Sequence, residues 1–100
     1  LQLAKRKSNT SSLDEAIKSL LKAYRLNDKM VELDIVKGWP EIMGPVVAAK
    51  TISIKVNKKV LVVELNSSVL REELSYGKAQ IVKNVNDFLQ QDFLEDVRLK

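Results

Sequence analysis

The side chains able to titrate, ligate or attack form a restricted set in this 100-residue chain. There is no Cys and no His, which removes disulfides, the usual zinc sites, cysteine nucleophiles and Ser-His-Asp triads together. Carboxylates occur as neighbours, at Asp14-Glu15, Glu72-Glu73 and Glu95-Asp96. Adjacent side chains on a helix or strand point apart, so none of these pairs converges as a general acid and base must. Ser75-Tyr-Gly-Lys78 fits S-x-x-K, in which a lysine one helical turn away activates a serine. The companion S-D-N and K-T-G motifs are missing, and the tetrad falls on a charged helix surface. The glycines at 38, 44 and 77 fit neither P-loop nor dinucleotide-binding spacing. The expectation is a protein that is not an enzyme, with no cofactor, no metal and no small-molecule substrate.

The cations are the other chemically active set. Seventeen Lys and Arg face thirteen Asp and Glu, a formal charge of +4. Residues 1–29 hold seven of the basic and three of the acidic groups, which leaves ten of each in residues 30–100. The excess therefore sits at the N-terminal end. Three groups of cations are candidates for nucleic-acid contact: Lys5, Arg6 and Lys7 in an N-terminal arm; Lys18, Lys22 and Arg25 in a helical row; and Lys58 and Lys59 at a hairpin tip, with Lys55 close by. Such groups bind phosphates and release counterions. A charged row is also what any solvated helix face looks like. The chain has only two Phe, two Tyr and one Trp, and most of them fall on apolar stripes. Backbone contact with little reading of bases is the expected mode.

The elements that position these groups follow from hydrophobic period. Residues 1–11 are polar and basic and read as a flexible arm, ahead of one folded domain over residues 12–100. Residues 1–7 lack the apolar run of a secretory signal, and no stretch approaches the roughly 20 apolar residues of a membrane span. The expected location is the cytoplasm, with no membrane partner. Ser12-Leu-Asp-Glu15 matches a capping box. Leu13, Ile17, Leu20, Leu21 and Tyr24 then recur at helical spacing as one apolar stripe. Asn27-Asp28 reads as a break between helices. A second, shorter helix carries Met30, Leu33, Val36 and Ile35 to about Gly38, where Pro40 disfavours continuation.

Trp39, Gly44 and Tyr76 are the expected structural anchors. Trp39 sits where a helical half meets a strand-bearing half, and reads as a core residue, with a base-stacking platform as the alternative. Val46 to Lys50 fits one further helical turn. Ile52, Ile54 and Val56 alternate as a strand, Asn57-Lys58-Lys59 makes a tight turn in which Asn takes a positive φ, and Val60 to Leu65 is a second strand. Val60 and Val62 lie on its second apolar face, so the strand is either central and covered on both sides or offers Val60 and Val62 as a surface for a partner. Arg98 and Lys100 fall on the side that Lys55 shares. Asn66-Ser67-Ser68 caps a long third helix with Leu70, Leu74, Ile81, Val85 and Phe88 inward and Gly77 permitting a close approach, and Leu94 to Leu99 is a last strand. The fold class is α+β, in the order ααββαβ, with helices packed on one face of a three-stranded sheet.

The blocks Leu13-Asp-Glu-Ala-Ile17, Trp39-Pro-Glu-Ile-Met-Gly44-Pro45, Val62-Val-Glu-Leu-Asn-Ser-Ser68 and Glu73-Leu-Ser-Tyr76 together resemble the DciA family, bacterial partners of the replicative helicase long catalogued as a domain of unknown function. The likeness runs from about Leu13 to Leu99. It implies a single KH-like domain, binding to single- or double-stranded DNA, help in loading or operating the hexameric replicative helicase in DNA replication, and the bacterial cytoplasm. The Gly-x-x-Gly loop by which KH domains clamp a nucleotide backbone is missing, so that mode of binding does not carry over. Some members carry a long disordered tail beside this domain, and helicase contact that needs one would be only partly represented in these 100 residues. Two other readings stand beside this one: a protein-interaction module with no direct nucleic-acid role, and a KH-like domain for single-stranded RNA.

Overall fold

The computed structural model describes the backbone of residues 10–100 and the side chains of residues 12–23 and 26–100. The elements run α1 (Thr10–Met43), α2 (Pro45–Ala49), β1 (Thr51–Asn57), β2 (Val60–Leu65), α3 (Ser68–Ser75), α4 (Lys78–Leu89) and β3 (Asp96–Leu99). The α+β class and the three-stranded sheet are those the hydrophobic periods predict. The sheet is mixed, in the order β1-β2-β3, with β1 and β2 antiparallel and β2 and β3 parallel. One face is apolar in register: Val56 lies opposite Leu61 and Leu61 opposite Val97, while Ile54 lies opposite Val63. Against that face pack Val31, Ile35 and Trp39 of α1 and Ile81 and Val85 of α4, and this is the core.

The largest departure from expectation is α1. One helix of 34 residues replaces two shorter ones and runs through Asn27-Asp28 without a break. The reason is tertiary. Asp28 and Glu32, one turn apart, spend their carboxylates on the neighbouring strand edge: Glu32 Oε1 accepts from the Val56 N–H at 2.9 Å and Asp28 Oδ2 from the Lys58 N–H at 3.3 Å. A residue that would cap a new helix instead pairs an edge strand's outward backbone donors. Pro40 also lies inside the helix. The bond it cannot donate would have gone to the Val36 carbonyl, and both residues lie on the exposed side of the helix, where a missing bond costs least. The chain is already helical at Thr10, the first described residue, upstream of Ser12, so the capping box does not mark a helix start. Residues 1–9 of the expected arm lie outside the described residues.

Two smaller corrections concern glycines and turns. The long third helix is two helices, α3 and α4, with Tyr76 and Gly77 between them. Gly77 serves that break, and a Cβ added there would meet nothing within 4 Å. The close approach is at Gly38, where an added Cβ would fall 2.7 Å from Phe88 Cε2, deep inside contact distance. Gly44 does need its freedom: it joins α1 to α2 at φ +90°, a region L side chains avoid. Ser67 caps α3 as expected, accepting from the Leu70 N–H at 3.2 Å. In the hairpin, Lys58 (φ 49°) and Lys59 (φ 67°) take the left-handed conformation, and Asn57 remains in β1.

Candidate nucleic-acid interface

A helix advances about 1.5 Å per residue, so α1 is about 51 Å long, and the molecule measures 59 × 24 × 21 Å. Its radius of gyration is 17.8 Å, against about 13 Å for a compact chain of this length. The difference is the N-terminal half of α1, which projects beyond the body. Leu13, Ile17, Leu20 and Leu21, expected to be a buried stripe, are all exposed, Leu20 by 69%. No part of the sheet reaches far enough to cover them.

Lys18 and Lys22 lie on this projecting half and are exposed. Arg25 belongs to the same row, and its side chain lies outside the described residues, as do Lys5, Arg6 and Lys7. The turn between β1 and β2 carries Lys58 and Lys59, and the Lys58 N–H bond to Asp28 holds that turn against α1. At 100° per residue, Lys18, Lys22 and Lys29 fall within about 40° of one another, on the flank of α1 next to the one that Glu32 turns to β1. The helical row and the hairpin tip, separated by 30 residues of sequence, therefore share one side of the molecule. The row from Lys18 to Lys29 rises about 16 Å, the length of about five base pairs of duplex. Two of these cations have acidic neighbours: Lys29 bonds Glu32 at 3.0 Å, and Lys59 lies 4.0 Å from Glu95 in an exposed pair. Burial opposes ionisation of Glu32, but the Val56 N–H and then Lys29 outweigh it, and its pKa lies below the ordinary 4.5.

The open face of the sheet holds a second cationic group. Lys55 lies opposite Val62, and Val62 opposite Arg98, so a half-buried valine sits between two exposed cations. Val60, the other residue read as partner surface, lies opposite Asn57 and Asp96. Ser53 donates to Glu64 Oε1 at 3.2 Å on the same face, so acidic groups border the cations there.

The anchors divide. Trp39 is buried, 3% exposed, and its indole N–H donates to Thr51 Oγ1 at 2.9 Å, whose hydroxyl donates in turn to the Val47 carbonyl at 2.7 Å. A ring held this way presents no face to a nucleobase. Tyr76 is no core anchor: it is 81% exposed, because α3 ends beneath it and the chain turns, and its hydroxyl reaches only Glu72 Oε1 at 3.3 Å. Ser75 and Lys78 fall on different helices, and the Ser75 hydroxyl donates to the Glu72 carbonyl at 2.5 Å, so the one-turn geometry of S-x-x-K is not formed.

An anchor that the sequence reading missed is Asn86. Its Oδ1 accepts from the N–H groups of Phe93 (3.2 Å) and Leu94 (2.8 Å), and its Nδ2 donates to the Leu94 carbonyl at 3.1 Å. That side chain fixes the connection from α4 into β3. No local signal marked it, because Asn86 lies about 100° round α4 from Val85, off the apolar stripe.

Among the described residues no cluster of acidic groups is placed to hold a metal ion, and no helix is long and apolar enough to cross a membrane. The fold defines a small α+β domain whose notable features are surfaces: a projecting amphipathic helix, a lysine-tipped hairpin beside it and a sheet with one open face. Residues 12–99 match the family described as Dna[CI] antecedent, DciA, and the chain belongs to the DciA family. The comparison with curated proteins returned no match.

Proposed function

We propose that this protein is a non-catalytic DNA-binding module, acting in the bacterial cytoplasm, that associates with the replicative helicase and assists its loading or operation. Membership of a family named as an antecedent of the helicase-loading proteins supports the helicase part. One observation carries the DNA part: the hairpin tip is docked onto α1 at Asp28, beside the helical lysine row. Lys18, Lys22, Lys58 and Lys59 then form one strip for a phosphate backbone, with Lys55 and Arg98 on the neighbouring sheet face, and the sequence adds Arg25, Lys5, Arg6 and Lys7 as further candidate cations. Leucine-flanked lysines neutralise phosphates and offer little to base edges, so binding is tolerant of sequence.

Titration of duplex and single-stranded DNA at several salt concentrations tests this. Each phosphate contact contributes about −0.9 to the slope of log affinity against log salt on duplex, or about −0.7 on single strands. Replacing Lys58 and Lys59 by Ala, Lys18 and Lys22 by Ala, or Lys5, Arg6 and Lys7 by Ala flattens the slope by up to one such step per residue. If no set moves the slope, the cations are a solvated surface and the DNA reading fails.

A further inference from the structure

Leu13, Ile17, Leu20 and Leu21 stand eighteen residues before Val31, Ile35, Gly38 and Trp39. Eighteen residues are five turns of helix, so both sets lie on the same face of α1. The later set is buried under the sheet and α4, and the four apolar side chains of the earlier set are all exposed, Ile17 at 48% being the least so. A contiguous exposed row of large aliphatic residues on a projecting helix is uncommon in a protein without a partner. The geometry points to this row as the docking surface for an amphipathic helix of another protein, one that carries acidic side chains along one flank.

The occupant follows from what borders the row. Lys18 and Lys22 lie about 60° and 100° round the helix from Leu21, and Lys18, Leu21, Lys22 and Leu26 line one shallow surface depression. On the opposite border stand Ala16 and Ala23, small enough to let a second helix come close. An apolar ridge with cations on one side and alanines on the other is complementary to a helix with leucine-like ridges and carboxylates on the matching side. A second copy of this chain fits less well. Antiparallel pairing about a two-fold sets each lysine border against its twin, and the two acids on that border, Asp14 and Glu15, are fewer than its cations Lys18, Lys22 and Lys29. A membrane surface takes Leu on such a face as well as Trp or Phe, and the vesicle arm of the test below separates it from a partner helix. Nucleobases stack on aromatic rings, and Tyr24 is the single aromatic that the sequence places on this stripe. The inference gives helicase association a surface, and rests on that reading only for the identity of the partner.

The test uses the whole chain and two synthetic helical peptides with one leucine pattern, bearing either Glu or Lys along a flank. Binding is followed by calorimetry at two salt concentrations. The Glu peptide binds at least tenfold more tightly than the Lys peptide, and Lys18→Glu with Lys22→Glu reverses that preference. Leu20→Gln with Leu21→Gln removes binding; Gln is a good helix former, and unchanged circular dichroism confirms that the helix persists. No preference between the peptides overturns the proposal. So does self-association of the free chain that is lost in the Gln variant, or binding of that face to anionic vesicles in place of the peptides. Purified replicative helicase of the source bacterium is titrated in parallel. Loss of its binding in the Gln variant, with the DNA salt slope unchanged, joins the surface to the helicase. Retained helicase binding beside a clear peptide preference keeps the docking surface and overturns the helicase as its occupant.

Discussion

The two halves of α1 carry the same face pattern and meet opposite fates. From Asp28 onward the face packs on the sheet, and Ile35, at 0% exposed, is among the most completely buried residues of the molecule. Before Asp28 the same spacing of Leu, Ile, Leu, Leu lies in solvent. Periodicity tells which residues share a face and says nothing of whether anything covers it. The boundary between the halves is made by two carboxylates that tie the helix to an edge strand, at Asp28 and Glu32. Because the halves are offset by eighteen residues, each position in one has a matched control in the other, which makes the comparison experimental.

The largest contrast is at Trp39 and its counterpart Leu21. Trp39→Ala removes a buried ring and strands the Thr51 hydroxyl that the indole engages, and is expected to cost about 3–5 kcal/mol. Leu21→Ala is expected to stay within about 0.5 kcal/mol, as exposed substitutions usually do. Denaturant unfolding of both variants measures the difference. Equal losses would mean that the N-terminal half is covered in solution by part of the same molecule.

The next contrast pairs Gly38 with Leu20. Alanine is better than glycine within a helix by about 1 kcal/mol, yet at Gly38 its Cβ collides with the Phe88 ring. Gly38→Ala is expected to destabilise the wild type and to become neutral or stabilising in a Phe88→Ala background, a coupling of about 1–2 kcal/mol in a double-mutant cycle. Leu20→Ala should show no coupling to Phe88. If Gly38→Ala is stabilising in the wild type, the ring moves aside freely and the packing of α4 on α1 is looser than the geometry indicates.

These matched sites also show what was legible in the sequence. The strands and the hairpin were, because a period of two is a local signal, and so was the Ser67 cap. The continuity of α1 was not. Asn27-Asp28 has the local chemistry of a helix break, and what overrides it is a strand edge nearly thirty residues away. The role of Gly38 depends on Phe88, fifty residues on, so local reading assigned the close approach to Gly77. Of the candidate interface, the residue types were visible and the assembly was not: Lys58 joins the row of Lys18 and Lys22 only through the Asp28 contact.

Acid titration extends the comparison to Glu32 and its counterpart Asp14. The folded-state pKa of Glu32 lies below the ordinary 4.5. Its stabilisation is therefore complete above about pH 4.5 and is lost as pH falls through the lower folded value. The melting temperature of the wild type is expected to drop below pH 4.5, and Glu32→Gln to make that drop shallower while lowering stability at pH 7. Asp14→Asn, on the projecting half, should leave stability at pH 7 within about 0.5 kcal/mol of the wild type. An unchanged profile in Glu32→Gln would show that the edge contact does not carry the acid sensitivity of the fold.

The smallest expected effect lies where the two halves meet, at the hairpin tip. Both turn residues have positive φ, the geometry in which Asn-Gly is strongly preferred and two lysines carry backbone strain. Strain of this kind tends to persist where function holds it. Lys58→Asn with Lys59→Gly is therefore expected to raise stability by about 0.5–1 kcal/mol. The Lys58 backbone bond to Asp28 survives the change, and the exposed pair of Lys59 with Glu95 contributes little. The same variant should flatten the salt slope of duplex binding by up to about 1.8, two phosphate contacts. Lys18→Ala with Lys22→Ala, on an unstrained helix, should flatten the slope without any gain in stability. A tip variant that gains stability and keeps its full salt slope would remove the hairpin from the interface and leave the projecting half of α1 to bind DNA without it.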